Sequence, residues 1–554
     1  MTIDATTTSP VEAFKAASDF LRGSIAEELG NDRANVTDET EQLLKFHGIY
    51  AGDNRDLRRE RAQAKEELDY IFMIRVVVPG GRISAQQWLA LDVVADEVAD
   101  GSLRLTTREA IQFHGVVKNG LRPLARRLDE VWMSSFGGCG DVVRNVVMCP
   151  DLQLGDHDHG TLITADALSA AFRPSTSAHW EIFVNGQVAA SKESFCEQSF
   201  YGDSYLPRKF KIAIAHPNEN CVDVFAQDLG LIPATDHEGR EGFSMMVGGG
   251  FGRSYANPDT FARLADVLAF VTHEEVVETI AAVVATYRDL GNRSNRKRAR
   301  MKYIIADHGL AAFRAEVEKR LGRSLREPVA LPEKFAAHDH LGWRQRTDGT
   351  WDLGVRVSAG RVKDDGALRL RTALRTIASS LDVTFYATAQ QDLIIAGVSD
   401  TERPFVEQLL VSHGVKSVEQ LGLVERTALA CPALPTCSQA LAESERRLPE
   451  LVDAIEGVLA GAGVRRPLQL RVTGCPNGCA RPAVAEVGIV GRTKSTYDVF
   501  VGGGPRGDRL ARVLKEKVPF AEISATLAPL VERWRDEGID DEAFGDFVTR
   551  AGIA

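Results

Sequence analysis

The sequence predicts an α/β (α+β) protein in which one structural unit occurs twice. Two segments, beginning at Arg75 and at Gly354, each show the pattern of a strand, a glycine turn, an amphipathic helix and two further strands. A second echo links FSMMVGGG, which ends at Gly250, to YDVFVGGG, which ends at Gly504. Because both echoes occur in the same order along the chain, they indicate a duplicated unit with a pseudo-two-fold arrangement.

These repeats divide the chain into five parts. We predict an N-terminal extension (1–60), a first ferredoxin-like repeat module (61–145), a central lobe (146–335), a second ferredoxin-like repeat module (336–425) and a C-terminal lobe (426–554). The stretch EPVALPEKFAAHDH contains prolines and lacks periodicity, which is typical of a linker. The two repeat modules are expected to pack together as one domain.

The composition is that of an ordinary globular protein. The chain has 554 residues, 44% of them hydrophobic and 26% charged, which is enough for several domains. Its net charge of −11 argues against nonspecific binding to nucleic acid. We find no run of about 18 apolar residues and no secretory signal at the N-terminus. We therefore expect a cytoplasmic protein with no membrane partner.

Four cysteines near the C-terminus carry the strongest chemical signal. Cys431 and Cys437 form C-x5-C, and Cys475 and Cys479 form C-x3-C within GCPNGCARP. Four thiolates in two close pairs suit either tetrahedral zinc or an iron–sulfur cluster. The wide spacing favours the cluster, since zinc sites usually have tighter C-x2-C pairs, and Gly478 permits a tight turn between the second pair.

The other four cysteines are dispersed along the chain. They are Cys139, Cys149, Cys196 and Cys221. Dispersed cysteines in a long chain are typical of reduced thiols rather than of a disulfide framework.

The pattern C-x5-C…GCPNGCARP resembles the signature of the sirohaem-dependent sulfite and nitrite reductases. The resemblance extends from LRGSIAEEL near residue 21 to FGDFVTRAG near residue 552. It implies three lobes around a sirohaem–cluster centre, with only one pseudo-symmetric half binding the active cofactor. It also implies that Cys431, Cys437, Cys475 and Cys479 bind a [4Fe–4S] cluster, and that Cys479 bridges this cluster to the sirohaem iron.

Four basic residues are candidates for an anion pocket. Arg75 interrupts the apolar strand IFMIRVVV, Arg144 lies in GDVVRNVVMC, and Lys209 and Lys211 lie in YLPRKFKIAIA. Strand alternation places both lysines on one face, with Phe210 on the other. Each residue alone has an ordinary interpretation as a paired strand-edge arginine, a surface arginine or a solvated strand face. The resemblance implies that all four bind the substrate anion and supply protons.

Further residues are candidates for cofactor binding. In LRLTTREAIQFHGV, strand alternation predicts that Arg108, Gln112 and His114 share one face, although a lone histidine is usually a satisfied core residue. The second repeat has Gln390, Ile394 and Ala396 at the matching positions, so the two copies differ in polarity. The resemblance implies sirohaem contacts for this strand, for the basic run GNRSNRKRARMKYIIA and for the cysteine loop. The candidates are Arg108, Gln112, His114, Arg296, Arg300, Asn477 and Cys479. The mixed-sign run DNRDLRRERAQAKEELD is predicted to be an exposed helix without chemistry.

The resemblance implies an assimilatory sulfite reductase, which reduces sulfite to sulfide with six electrons. Lys-x-Lys is the pattern of the sulfite-reducing branch, whereas the nitrite-reducing branch commonly has Asn at the second position, here Lys211. Neither glycine triplet has the G-x-G-x-x-G context of a dinucleotide site, so electrons must come from a partner protein. That partner is a ferredoxin or a flavoprotein reductase subunit, and FGGCGDVVRNVV looks nearer to the ferredoxin type.

Three alternatives remain open from the sequence. They are a sirohaem nitrite reductase, an iron–sulfur electron carrier without sirohaem, and a structural zinc protein. The sequence also leaves open whether Tyr50 and Cys139 meet, as in relatives that carry a Tyr–Cys thioether cross-link.

Overall fold

The computed structural model describes residues 8–155, 164–174, 181–184, 187–191, 200–333 and 335–553. Four five-stranded sheets dominate the described part of the chain. Two of them, sheets I and II, are formed by the repeat modules, and the other two, sheets III and IV, by the central and C-terminal lobes.

The repeat modules exchange one strand each. Sheet I has the order β1-β2-β5-β4-β15 and sheet II the order β13-β14-β19-β18-β3. Sheet I contains β1 (Ile49–Asp53), β2 (Tyr70–Val76), β4 (Leu103–Leu105), β5 (Ile111–Val116) and β15 (Arg361–Val362). Sheet II contains β3 (Arg82–Ser84), β13 (Gly342–Gln345), β14 (Trp351–Val355), β18 (Thr384–Ala387) and β19 (Leu393–Val398). Because β15 pairs with β4 and β3 pairs with β18, each module completes the sheet of the other.

Sheets III and IV repeat one pattern of strand directions. Sheet III contains β6 (Val147–Met148), β9 (Ile212–Ile214), β10 (Leu229–Thr235), β11 (Glu241–Val247) and β12 (Asp266–Thr272). Sheet IV contains β20 (Leu429–Ala430), β21 (Leu470–Thr473), β22 (Val487–Gly491), β23 (Thr496–Val501) and β24 (Arg512–Pro519). In each sheet the first three strands are parallel and the last two antiparallel to their neighbours. The predicted duplication is therefore confirmed.

Short hairpins and helices complete the described structure. The hairpins are β7 (Glu181–Val184) with β8 (Gln187–Ser191) and β16 (Asp364–Asp365) with β17 (Leu368–Arg369). The helices are α1 (Pro10–Ala16), α2 (Ile25–Leu29), α3 (Asp38–Leu44), α4 (Arg58–Ala64), α5 (Ala85–Val98), α6 (Leu121–Asp129), α7 (Pro150–Leu154), α8 (Ala165–Ala171), α9 (Val276–Leu290), α10 (Met301–His308), α11 (Leu310–Leu321), α12 (Leu370–Ser380), α13 (Arg403–Ser412), α14 (Leu448–Ala462), α15 (Ile523–Glu537) and α16 (Phe544–Arg550). None of the described helices is long and apolar enough to cross a bilayer.

The two repeat modules share one hydrophobic core. Trp88 of α5 stacks on Phe385 of β18, with ring centroids 4.7 Å apart. Helix α5 begins with a capping box, in which Ser84 and Gln87 satisfy each other's backbone N–H groups. Arg371 of α12 donates to Asp92 of α5 at 2.7 Å, so a buried ion pair joins the equivalent helices.

The glycine triplets allow one strand end to approach a neighbouring loop. A Cβ atom on Gly249 would lie 2.2 Å from the carbonyl oxygen of Phe225, and one on Gly503 would lie 2.3 Å from that of Ala485. The triplets thus have a packing function, and they follow the equivalent strands β11 and β23.

Candidate active site

The four C-terminal cysteines gather at one end of sheet IV. Cys431 follows β20, and Cys475 follows β21. Gly478, at φ +65°, makes the turn that leads to Cys479. The backbone N–H of Gly474 donates to the Cys431 sulfur at 3.3 Å. Such N–H···S bonds favour the thiolate and tune the potential of a bound cluster.

The thiols are electrostatically coupled. Burial and then the neighbouring Cys479 raise the pKa of Cys431, of Cys437 and, to about 12, of Cys475. A metal centre removes this cost, because it binds the thiolate form. Cys479 is the exposed member of the four.

The spacing of the four sulfur atoms argues against the zinc alternative. A tetrahedral zinc with Zn–S bonds of about 2.3 Å would hold its sulfur atoms about 3.8 Å apart. Within the described residues, no three of these cysteines have sulfur atoms that all lie within 4.8 Å of one another. A [4Fe–4S] cube needs this wider arrangement, since each thiolate binds a different iron atom.

A cationic cavity opens beside Cys479. Its lining includes five cationic side chains and no carboxylate: Arg108, Lys209, Lys211, Arg300 and Arg481. Asn477, Gln227 and Thr107 complete the polar part of the lining. Five positive charges around one cavity are costly unless an anion of several charges binds among them.

The lowered pKa values of Lys209, Lys211 and Arg108 reflect that cost, whereas Asp228 raises the pKa of Arg300. Burial, followed by repulsion from Arg300 and Arg144, lowers the pKa of Lys209 to about 7. Burial and then Lys209 lower the pKa of Lys211 well below its usual value. Burial lowers the pKa of Arg108 to about 9, an effect to which Arg481 contributes. A bound anion would reverse these shifts.

Buried partners fix the cavity arginines in place. Arg300 donates to both carboxylate oxygens of Asp228, at 2.9 and 2.7 Å. Arg108 donates to the Gln227 side chain at 2.8 Å. Arg481 donates to the carbonyl oxygens of Thr107 at 3.2 Å and Ala389 at 2.8 Å, which occupy equivalent turns of the two repeat modules. The cations are thus positioned before any ligand binds.

Lys209 and Lys211 share one face, as predicted. Both line the cavity, whereas Phe210 between them is fully buried in the core of the central lobe. They precede β9 rather than lying within it.

Arg75 and Arg144 do not line the cavity, but each interacts electrostatically with a residue that does: Arg75 with Cys479 and Arg144 with Lys209. Arg75 donates to the Cys139 sulfur at 2.6 Å, and its guanidinium lies 5.9 Å from the centre of the Tyr50 ring. Its other side faces the Gln112 amide, whose oxygen accepts from Arg75 at 2.6 Å once the amide is turned to satisfy both of its atoms. The partners of Arg75 are thus a thiol and an amide rather than a carboxylate. Arg144 is anchored by the carbonyl oxygen of Gly140 at 2.8 Å.

Tyr50 and Cys139 meet in the structure. Burial, and then the Cys139 thiol with which it hydrogen-bonds, raise the pKa of Tyr50. The contact places both side chains against Arg75.

Two of the predicted cofactor ligands, His114 and Arg296, contact other protein groups and do not line the cavity. His114 contacts Arg361 at 3.1 Å, and burial followed by Arg361 and Arg104 lowers its pKa well below the usual value. Arg296 pairs with Asp141 at 2.9 Å. Neither residue is among those that line the cavity, whereas Arg300 from the same basic run is.

The prediction that Arg108 lies on a strand was wrong. Residues 106–110 form a turn between β4 and β5, because Thr106 accepts the N–H of Glu109 and the chain there has φ +55°. Arg108 reaches the cavity from this turn, whereas Gln112 lies on β5.

Sequence reasoning missed two arginines that support the cluster loop. Arg55 donates to the carbonyl oxygens of Cys437 and Ser438 at 3.2 Å, although it belongs to the mixed-sign run that was assigned no chemistry. Arg104 donates to Ala430 at 2.8 Å and to Glu445 at 3.0 Å. Alternation along β4 places Arg104 on the face opposite the core residues Leu103 and Leu105. A cation between two apolar strand residues was the one available signal.

Comparisons with known proteins identify the class. A family model described as "Nitrite and sulphite reductase 4Fe-4S domain" matches residues 139–325 and 424–554, and one described as "Nitrite/Sulfite reductase ferredoxin-like half domain" matches residues 63–131. The chain therefore belongs to the nitrite and sulphite reductase family, as the sequence resemblance predicted.

Individual relatives match over almost the whole chain. The protein named sulfite reductase [NADPH] hemoprotein beta-component from Myxococcus xanthus is 43% identical, over 98% of this chain and 96% of its own length. Its namesake from Paenibacillus sp. is 42% identical over 98% and 95%. The structure of Mycobacterium tuberculosis NirA shares the fold, with a TM-score of 0.78 and 24% identity over 98% of this chain and 96% of that chain.

Proposed function

We propose that this protein is a sulfite reductase haemoprotein that reduces sulfite to sulfide with six electrons. The observation that carries the proposal is the cavity of five cations that opens onto Cys479 beside three further cysteines. A sirohaem, which is a polycarboxylate, fits a cavity lined by cations without a carboxylate. A [4Fe–4S] cluster fits the widely spaced thiols.

Each set of residues has a separate task. Cys431, Cys437, Cys475 and Cys479 would hold the cluster, with Cys479 also facing the cavity. Arg108, Arg300 and Arg481 would bind cofactor carboxylates, because buried partners fix their positions. When bound, the two groups supply the electron storage and transfer that side chains lack.

Lys209, Lys211, Arg75 and Arg144 would hold and protonate the substrate. Lys209, with a pKa of about 7, can exchange a proton near neutral pH. Lys211 adds a second cation to the same face, which favours a dianion over a monoanion. Arg75 and Arg144 would add fixed positive charge.

We propose a flavoprotein reductase as the electron donor. The similar proteins from Myxococcus and Paenibacillus are named as NADPH-dependent beta-components, a name that implies a second component. A ferredoxin is the other candidate, and the prediction of a cytoplasmic location accords with either donor.

Steady-state turnover with reduced methyl viologen tests the proposed activity. The protein is made in a host that synthesises sirohaem and is given sulfite and nitrite separately, with sulfide and ammonium measured. We expect sulfide as the main product and a higher kcat/KM for sulfite. Efficient ammonium formation with negligible sulfide would make the protein a nitrite reductase and overturn the proposal. Replacing methyl viologen with a ferredoxin or an NADPH-linked flavoprotein then identifies the donor class.

A further inference from the structure

A second group of metal-binding side chains lies outside the active site. Cys149, Glu219, Cys221 and His340 are nearly inaccessible to solvent, and one ligand atom from each lies within 4.8 Å of those of the other three. In the described part of the chain, this is the sole group of three or more such side chains at this spacing.

This group occupies the pseudo-symmetric counterpart of the cluster site. Cys149-Pro150 follows β6 as Cys431-Pro432 follows β20, and these are the equivalent edge strands of sheets III and IV. The loop after β9 reads HPNENC and ends at Cys221, while the loop after β21 reads CPNGC and ends at Cys479. Two of the four cysteine positions therefore recur in the other half.

The fourth side chain of the group, His340, comes from the linker and was not predicted from the sequence. His340 lies in the stretch predicted as a linker, but its side chain is 3% exposed and its Nε2 lies 2.8 Å from Glu219 Oε1. Cys149 Sγ lies 3.8 Å from the same carboxylate and hydrogen-bonds to Cys221 and His340.

Asp151 and Arg344 orient the imidazole of His340. His340 Nδ1 lies 3.4 Å from Asp151 Oδ1, and Asp151 is itself paired with Arg344. A carboxylate on the second ring nitrogen is the usual support of a metal-binding histidine, because it fixes the ring and makes the other nitrogen a better donor.

We propose that Cys149, Cys221, His340 and Glu219 bind a structural zinc ion. Two thiolates, one imidazole nitrogen and one carboxylate oxygen form a closed four-coordinate set with no position left for substrate. Zinc would displace the protons of both thiols and of the imidazole, and each ligand atom would move slightly to reach bonding distance.

The ion would brace the active site. It would tie together three segments that are distant in sequence: the end of β6, the loop after β9 and the segment before β13. Asp223, two residues after Cys221, pairs at 2.6 Å with Arg481, which lines the cationic cavity. The loop held by zinc thus positions one wall of the cavity.

Metal analysis of the holoenzyme, combined with zinc-edge X-ray absorption, tests the proposal. After incubation with zinc sulfate and gel filtration, we expect about one zinc per chain in addition to iron. The zinc shell should contain two sulfur atoms at about 2.3 Å and two nitrogen or oxygen atoms at about 2.0–2.2 Å. This measurement needs no variant and no catalytic activity.

Variants then assign the ligands. Cys221→Ser and His340→Gln should each lose at least about 90% of the zinc while retaining iron, since two-sulfur zinc sites need their full ligand set. His237→Asn is the matched control, because its side chain is 85% exposed and is not one of the four proposed ligands; it should keep zinc.

Three outcomes would overturn the proposal. The first is wild-type protein without zinc after incubation. The second is a four-sulfur zinc shell, which would place zinc among the cluster cysteines. The third is a disulfide between Cys149 and Cys221, detected by mass spectrometry of the non-reduced protein.

Discussion

The cluster loop (431–437 with 475–481) and its counterpart loop (149 with 216–223) have the same backbone setting and different side chains. Both follow edge strands of sheets with the same strand order. Arg481 and Asp223 follow Cys479 and Cys221 by two residues, both have a left-handed backbone, and they form an ion pair at 2.6 Å. The contact between the two halves is therefore made by equivalent positions.

The difference lies in the charge around each loop. Lys211 precedes the counterpart loop and faces the cavity, whereas its equivalent, Gln469, is neutral. The backbone N–H of Lys211 donates to Asp228, and that of Gln469 donates to Glu486. Similarly, Arg108 of the first repeat matches Gln390 of the second. The duplication produced two equivalent loops. Cationic residues at only one of each pair of equivalent positions, Lys211 and Arg108, give the molecule a single anion-binding cavity.

The largest effect is expected from Cys479→Ser. Loss of this thiolate removes a cluster ligand and the link to the cavity, so sulfite turnover should fall by more than about 10³-fold. Iron and acid-labile sulfide analysis should show a lost or altered cluster. The counterpart variant Cys221→Ser should retain iron, and equal iron loss in both variants would contradict the division of roles.

Asp223→Asn should destabilise the contact between the halves. Asp223 is buried, accepts from Arg471 at 2.6 Å and pairs with Arg481. Removing its charge leaves two buried arginines unpaired, so the free energy of unfolding should fall by about 3–5 kcal/mol. Urea unfolding followed by circular dichroism measures this. The exposed control Glu537→Gln should leave the midpoint unchanged, and a similar midpoint for D223N would show that the ion pair does not join the halves.

Lys211→Asn should remove one positive charge from the cavity and leave a neutral side chain, as at the equivalent position Gln469. A charge about 4 Å from an anion contributes up to about 4 kcal/mol at an effective dielectric constant of about 20. We therefore expect kcat/KM to fall by about 100-fold or more for dianionic sulfite and by only about tenfold for monoanionic nitrite. Equal losses on the two substrates would refute the role assigned to Lys211.

The smallest effect is a pH dependence due to Lys209. Its pKa of about 7 means that it is charged at lower pH and neutral at higher pH. Affinity for the anion should thus fall as pH rises through 7, by at most about tenfold per pH unit. The KM of wild type and Lys209→Gln, measured from about pH 6 to pH 8.5, isolates the lysine because sulfite titrates identically in both. Parallel profiles would show that Lys209 does not set this dependence.

The sequence predicted the duplication and the gathering of the four C-terminal cysteines because both leave local patterns. The echo FSMMVGGG and YDVFVGGG corresponds to equivalent strands, and the C-x5-C and C-x3-C pairs meet as expected. The partners of His114, Arg296 and Arg55 depend on contacts between distant segments. Alternation along one strand contains no information about such contacts.

The contacts of the counterpart loop could not be predicted from the sequence either. Cys149 and Cys221 look like scattered thiols in the sequence, and His340 lies in a stretch without periodicity. They meet because sheet III repeats sheet IV and because the segment before β13 packs against it. Cys196 lies outside the described residues.

Anomalous diffraction at the iron edge from crystals of the holoprotein tests the central claim most directly. We predict one iron cluster among Cys431, Cys437, Cys475 and Cys479, and a separate single iron in the cavity beside Cys479. We predict no iron between Cys149 and Cys221. Iron at that counterpart position, or a cavity without its own iron, would contradict the assignment of a catalytic role to the cluster loop and a structural role to the counterpart loop.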